Sequence, residues 1–133
     1  MIRILVIDDE SSFCDILETF LQDRDYEVRT ANQAEAALLL LTNFNPDIIL
    51  MDVRMPETSG LELLPQIKAI SPESRVIVIT GVDDYRVADL LYEAGADGYL
   101  TKPVRLHGLL ETIHRLEASQ PQARGSFFEA FPP

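Results

Sequence analysis

The sequence predicts an α/β domain built on a doubly wound, five-stranded parallel sheet with helices on both faces. Three observations predict it. Short runs of Ile, Val and Leu alternate along the chain with longer segments whose apolar residues recur at helical spacing. The runs "IRILVI" (2–7), "IILM" (48–51) and "VIVIT" (76–80) are continuous, which suits strands buried on both faces. Each strand is followed by a helical segment, so successive strands lie parallel and are joined by right-handed crossovers.

The elements follow in order. After the first strand, Phe13, Ile16, Leu17, Phe20 and Leu21 keep the spacing of one helix face. "YEVRTA" (26–31) alternates apolar and polar residues and reads as an edge strand, followed by a helix near 33–43. After the strand at 48–51, a helix over 60–70 contains Pro65 beyond its first turn. A proline there removes a hydrogen bond and should bend or delay the helix. Behind the strand at 76–80, Asp83 and Asp84 are placed to cap a helix whose apolar face is Val87, Leu90, Leu91 and Ala94; "EAGAD" ends it in glycine. "GYLTK" (98–102) is the fifth strand, and Leu106, Leu109, Leu110 and Ile113 line the fifth helix. The domain is expected to span 1–119. In "QPQARGSFFEAFPP" (120–133) the periodicity stops and Pro and Gly appear, as in a flexible tail or the start of a linker. Phe127, Phe128 and Phe131 are more aromatic than a solvated linker needs.

Charge narrows the functions available. The 133 residues carry 11 Lys and Arg against 22 Asp and Glu, a net charge of −11, and beyond Ser119 only Arg124 and Glu129 are charged, so the whole excess lies on the domain. Such a surface repels phosphate backbones and anionic lipid, which argues against direct nucleic-acid or membrane binding and favours a metal cation or a basic partner. Cys14 is the sole cysteine and sits in a helical pattern beside Phe13, so it reads as a packed thiol. No apolar run approaches the ~20 residues that span a bilayer, and a cytoplasmic location is expected.

The strand ends carry the chemistry. Asp8 and Asp9 end the first strand, Asp52 the third, Thr80 the fourth and Lys102 the fifth. Ligands of open α/β sheets bind beyond the carboxyl ends of the strands. A strand order of 2-1-3-4-5, which spacing alone does not fix, would put Asp8, Asp9 and Asp52 in one cleft with Thr80 and Lys102 on its rim. Singly, each residue has an ordinary use: Asp8 or Asp9 as a helix cap, Asp52 in a turn, Thr80 as a strand-end hydroxyl, Lys102 in solvent. Those uses do not explain why all five end strands at one edge. Three carboxylates so close cannot all stay ionised unaided, and a hard divalent cation, Mg²⁺ or Mn²⁺, resolves the conflict. The set meets the needs of phosphoryl transfer onto a carboxylate: Asp52 as nucleophile, Lys102 and the metal against the equatorial oxygens, and the Thr80 hydroxyl as a further donor.

"VIDDE", "DIILMDVRMPETSGLELL", "VIVITG" and "GADGYLTKP" resemble the receiver domain of two-component response regulators, over about residues 2–118. The resemblance implies that Asp52 is the phosphoacceptor, Asp9 a direct metal ligand, Asp8 a ligand through metal-bound water, and Arg54 a backbone-carbonyl ligand. It makes Thr80 and Tyr99 the switch pair, Lys102 the family's lysine, and Lys102–Pro103 a cis peptide. It implies a sensor histidine kinase or histidine phosphotransfer protein as donor. The fourth-helix, fifth-strand and fifth-helix surface would be the one that changes and a possible homodimer face. Arg54 and Val82, two residues after Asp52 and Thr80, imply slow self-dephosphorylation. "VRMPETSGLELL" and "VIVITG" are also similar to receivers of enhancer-dependent transcription regulators, so residues 120–133 are either a tail or a linker to an output domain.

Other functions fit less well. A flavin-binding domain of this architecture needs a glycine- and hydroxyl-rich phosphate loop after the first strand, where this chain has "DDESS". A haloacid-dehalogenase-like phosphohydrolase needs an acid two residues after its nucleophile on the opening strand; here that position is Arg54, on the third. A receiver kept only as a docking surface would lack a site residue, and none is missing. Met51 and Met55 read as packing, and His107 and His114 lack a third metal ligand nearby. The chain reads as a signalling switch that catalyses only its own modification.

Overall fold

The computed structural model describes residues 1–81 and 85–118. Val82, the expected caps Asp83 and Asp84, the boundary at Ser119 and the phenylalanine-rich tail lie outside the described residues.

Five strands, β1 (Arg3–Ile7), β2 (Glu27–Ala31), β3 (Ile48–Met51), β4 (Arg75–Thr80) and β5 (Gly98–Thr101), alternate with five helices. These are α1 (Ser11–Gln22), α2 (Ala34–Asn43), α3 (Gly60–Ile70), α4 (Tyr85–Glu93) and α5 (Leu106–Glu117). The strands form one sheet in the order β2-β1-β3-β4-β5, and every pairing is parallel. This is the doubly wound arrangement the alternation predicts.

Each central strand is buried on both faces, and its residues divide by parity. Leu5, Ile7, Ile49, Met51, Val76 and Val78 pack with Leu41 of α2, Leu63, Leu64 and Ile67 of α3, and Leu91 of α4. Ile4, Val6, Ile48, Leu50, Ile77 and Ile79 pack with Cys14, Leu17 and Leu21 of α1 and Leu109, Ile113 and Leu116 of α5. A fully buried Leu or Ile contributes about 1.5–3 kcal/mol. A continuous apolar strand is therefore the sequence that such a sheet requires. β2, at the edge, buries Val28 and Ala31 and exposes Arg29.

Three local expectations need correction. Ile16 is 58% exposed; Cys14, Leu17 and Leu21 form the inner line of α1, with Phe13 and Phe20 on its flanks. Leu90 is half exposed, and among the described side chains of α4 Leu91 alone is buried outright. In both helices two apolar lines coexist, and the layer opposite selects the narrower one. Pro65 does not delay α3, which starts at Gly60. Pro65 is exposed, on the outer face of α3, so its ring does not enter the core.

Register sets the site. Ile7 stands opposite Met51, and Thr80 opposite Thr101. The ladder continues past the strands: Asp52 N donates to Ile7 O at 2.9 Å, Asp8 N to Ala31 O at 3.1 Å and Lys102 N to Thr80 O at 2.9 Å. Asp8, Asp52 and Lys102 are thus pinned by backbone bonds at the carboxyl edge of the sheet. At the other end of the β3–α3 connection, Gly60 N donates to Val53 O at 2.7 Å. A Cβ on Gly60 would lie 2.8 Å from Val53 Cα, so only glycine permits that approach.

Candidate functional site

Asp8, Asp9 and Asp52 come together at the carboxyl edge. One carboxylate oxygen from each lies within 4.8 Å of the others. Asp8 and Asp52 are buried and Asp9 is exposed. Oxygen ligands around an octahedral Mg²⁺ stand roughly 3.0–4.2 Å apart, so these three hard donors fit a cation after small side-chain adjustment. The cluster can hold a metal.

Lys102 Nζ donates to Asp8 Oδ2 at 2.8 Å, Glu10 Oε1 at 3.2 Å and Asp52 Oδ2 at 3.3 Å. It also lies 4.5 Å from the centre of the Phe13 ring. The second oxygens of the two buried aspartates accept backbone bonds, Asp8 Oδ1 from Glu10 N at 2.9 Å and Asp52 Oδ1 from Arg54 N at 3.1 Å. Asp9 accepts no hydrogen bond among the described residues and presents its carboxylate free.

Burial pushes the Asp8 carboxyl above the usual carboxylate range, opposed by its bonds from Lys102 and Glu10 N and reinforced by the charge of Asp52. Burial would lower Lys102, but its bonds to Asp8 and Glu10 and the charges of Asp8 and Asp52 outweigh it and raise the ammonium above its ordinary value. Lys102 is therefore a fixed cation among crowded acids.

A family model for the response regulator receiver domain matches residues 4–114. The chain belongs to this family. The receiver domain is similar to the transcriptional regulatory protein ZraR of Escherichia coli (strain K12), 34% identical over 134 residues, 96% of this chain and 30% of that protein. It thus spans less than a third of that relative's length. Among solved structures it superposes on a CheY-like receiver domain protein from Methanospirillum hungatei JF-1 with a TM-score of 0.84 at 32% identity, covering 88% of this chain and 94% of the other. A response regulator from Burkholderia pseudomallei, described with a phosphorylated aspartic acid, a calcium ion and citrate, gives 0.79 at 30% identity, with 89% and 74% covered.

Within the receiver domain, one residue stands elsewhere than the sequence suggests. Thr80 is fully buried, not on a rim, because it is the last residue of β4, an interior strand flanked by β3 and β5. Lys102 stands at the cleft as expected and bonds both Asp8 and Asp52, Asp8 at the shorter distance. Tyr99 of β5, opposite Val78, is half-buried against the α2–α3–α4 face. The Lys102–Pro103 peptide is cis.

Some residues do what their ordinary reading implies. Met51 is core and Met55 packs on it. His107 pairs with Glu111 on the exposed face of α5, and His114 is exposed. Cys14 is buried, donates to Asp8 O at 3.3 Å, and has its thiol pushed up to about 11 by burial and by the charges of Asp8 and Asp15. Neither Asp8 nor Asp9 caps α1; Glu10 stands at that position and makes no side-chain cap. Sequence reasoning gave Glu10 and Phe13 no part in the site. Both meet Lys102 because α1 and α5 share one face of the sheet and Lys102 opens the β5–α5 connection. Among the described residues no helix is long and apolar enough to cross a membrane.

Proposed function

We propose that this receiver domain is a phosphorylation-controlled switch that accepts a phosphoryl group on Asp52. The donor would be a phosphohistidine of a sensor kinase or histidine phosphotransfer protein, or a small acyl phosphate. The observation that supports this best is the convergence of Asp8, Asp9 and Asp52 with Lys102 Nζ bridging two of them.

An Asp52 oxygen forms the new P–O bond as the donor's bond to phosphorus breaks, P–N in a phosphohistidine or P–O in an acyl phosphate, the electron pair leaving on the imidazole nitrogen or the carboxylate oxygen. An ionised carboxylate has no proton to lose, so no general base is needed. Bound Mg²⁺ or Mn²⁺ supplies positive charge against the phosphoryl oxygens. Asp9, free and exposed, would be a direct ligand with Asp52 and the Arg54 carbonyl. Asp8, buried and bonded to Lys102, would act through metal-bound water, as the resemblance to the family implies. Lys102 would turn from the carboxylates to a phosphoryl oxygen, the positioning and charge compensation that this transfer chiefly requires. The phosphorylated aspartate described for the Burkholderia neighbour supports the chemistry.

Phosphorylation would draw the Thr80 hydroxyl toward the new oxygens and let Tyr99 rotate, altering the surface of α4, β5 and α5 and any dimer formed there. The domain would catalyse only its own phosphorylation and dephosphorylation, and Arg54 with Val82 would make the latter slow. Residues 1–119 would form the switch. An acidic chain of this kind would reach nucleic acid only through an attached output domain.

Incubation with acetyl phosphate and Mg²⁺ tests the reading by intact mass. Wild type should gain one phosphoryl group and a folded Asp52→Asn chain none. Undiminished labelling of Asp52→Asn would move the acceptor elsewhere.

A further inference from the structure

Lys102 Nζ has carboxylates on one side and an aromatic ring on the other. Phe13, the third residue of α1, places its ring centroid 4.5 Å from the ammonium, while Asp8, Glu10 and Asp52 all lie within 3.3 Å. The Lys102 side chain is 20% exposed, so the ring contact is partly shielded from water. Glu10 is 61% exposed, and its carboxylate draws the ammonium toward solvent. The π face of a benzene ring attracts a cation, yet it is no carboxylate and does not neutralise the charge.

We propose that Phe13 is a positioning residue for phosphoryl transfer, its ring face holding the Lys102 ammonium over Asp52 while the ammonium changes partners. The proposal rests on the reading of Asp52 as phosphoacceptor. In the structure the ammonium is bonded to Asp8 and Asp52; in the transition state it has to bond a phosphoryl oxygen. Carboxylate bonds are directional and must break for that move. Attraction to the ring is broad across its face, so it persists as Nζ slides. Phe13 also packs on the α1–α5 core, and a purely structural role is the competing explanation.

Stepwise fluorination separates the two, because it drains the ring's negative face while nearly preserving its shape. Chains carrying Phe13, its mono-, di- and trifluoro analogues, and the variants Phe13→Tyr and Phe13→Leu are compared with acetyl phosphate as donor, so that no kinase docking enters. The expected result is a labelling rate at saturating donor that falls progressively with fluorination. It should drop roughly three- to thirtyfold in Phe13→Leu and recover in Phe13→Tyr, with Mg²⁺ affinity and half-saturating donor concentration unchanged. In parallel, the Lys102 side-chain protons should show a ring-current shift that Phe13→Leu abolishes. A rate indifferent to fluorination overturns the proposal, even if Phe13→Leu is slow, because packing alone then explains it. A wild-type chain that takes no phosphate overturns the reading of Asp52, and the role of Phe13 with it, whatever the ring-current shift shows.

Discussion

Lys102 donates to Asp8 at 2.8 Å, a shorter bond than the 3.3 Å one to Asp52. The lysine thus occupies, in charge if not in position, the place that a divalent cation would take among the same acids. Its removal should have two opposite effects. Lys102→Ala should slow labelling of Asp52 by roughly a hundredfold or more, the usual cost of losing a preorganised charge at a transition state. It should also tighten Mg²⁺ binding several-fold, because the competing cation is gone. Calorimetric titration and labelling kinetics on one preparation check both, and weaker Mg²⁺ binding in the variant would contradict the idea of competition.

Gly60 ties the far end of the β3–α3 connection back to Val53, the residue after Asp52. A methyl group there meets Val53 Cα at 2.8 Å and Met51 Cε at 3.1 Å, and the first of these is backbone that cannot step aside. Gly60→Ala should cost about 1–3 kcal/mol in urea unfolding and weaken Mg²⁺ binding through the displaced loop. Equal stability of the two chains would show that the loop absorbs the methyl group.

Much of this was legible in the sequence, and the misses have a common cause. Continuous runs such as 48–51 and 76–80 are what two-sided burial demands, so the strands and their terminal acids followed, whereas the strand order was an assumption that the sheet bears out. Periodicity in α1 fits both Ile16 and Cys14, and only the packed sheet selects Cys14. Pro65 looks disruptive until its ring is seen to face solvent. The burial of Thr80 and the meeting of Glu10 and Phe13 with Lys102 depend on which helices share a face across the sheet. No local spacing encodes that.

Tyr26, just before β2, donates from its hydroxyl to Glu117 Oε2 of α5 at 3.0 Å. Burial, together with that bond and the charge of Glu117, pushes the phenol from its ordinary 10.0 up to about 12. Because the folded value lies above the unfolded one, the fold favours the protonated phenol. Its contribution is full below pH 10 and is lost as pH rises toward 12. Tyr26→Phe should therefore be less stable than wild type near neutral pH and lose less stability between pH 10 and 12. Urea midpoints across that range check it, and parallel curves would refute it.

Cys14 should resist alkylation in the native chain, since its thiol is buried and its ionisation is raised to about 11. Iodoacetamide should modify it only at the rate of unfolding, so modification should accelerate with urea. Rapid labelling of the folded protein would place the thiol at the surface.

The sharpest measurement is the position of the acyl phosphate. After treatment with acetyl phosphate, borohydride reduction converts a phosphorylated aspartate to homoserine, which peptide mass spectrometry then locates. Conversion at residue 52 alone, present with Mg²⁺ and absent with a chelator, is the expected result. Homoserine at another aspartate, or equal conversion without the metal, would contradict the assignment of Asp8, Asp9 and Asp52 to one cation-dependent phosphoacceptor site.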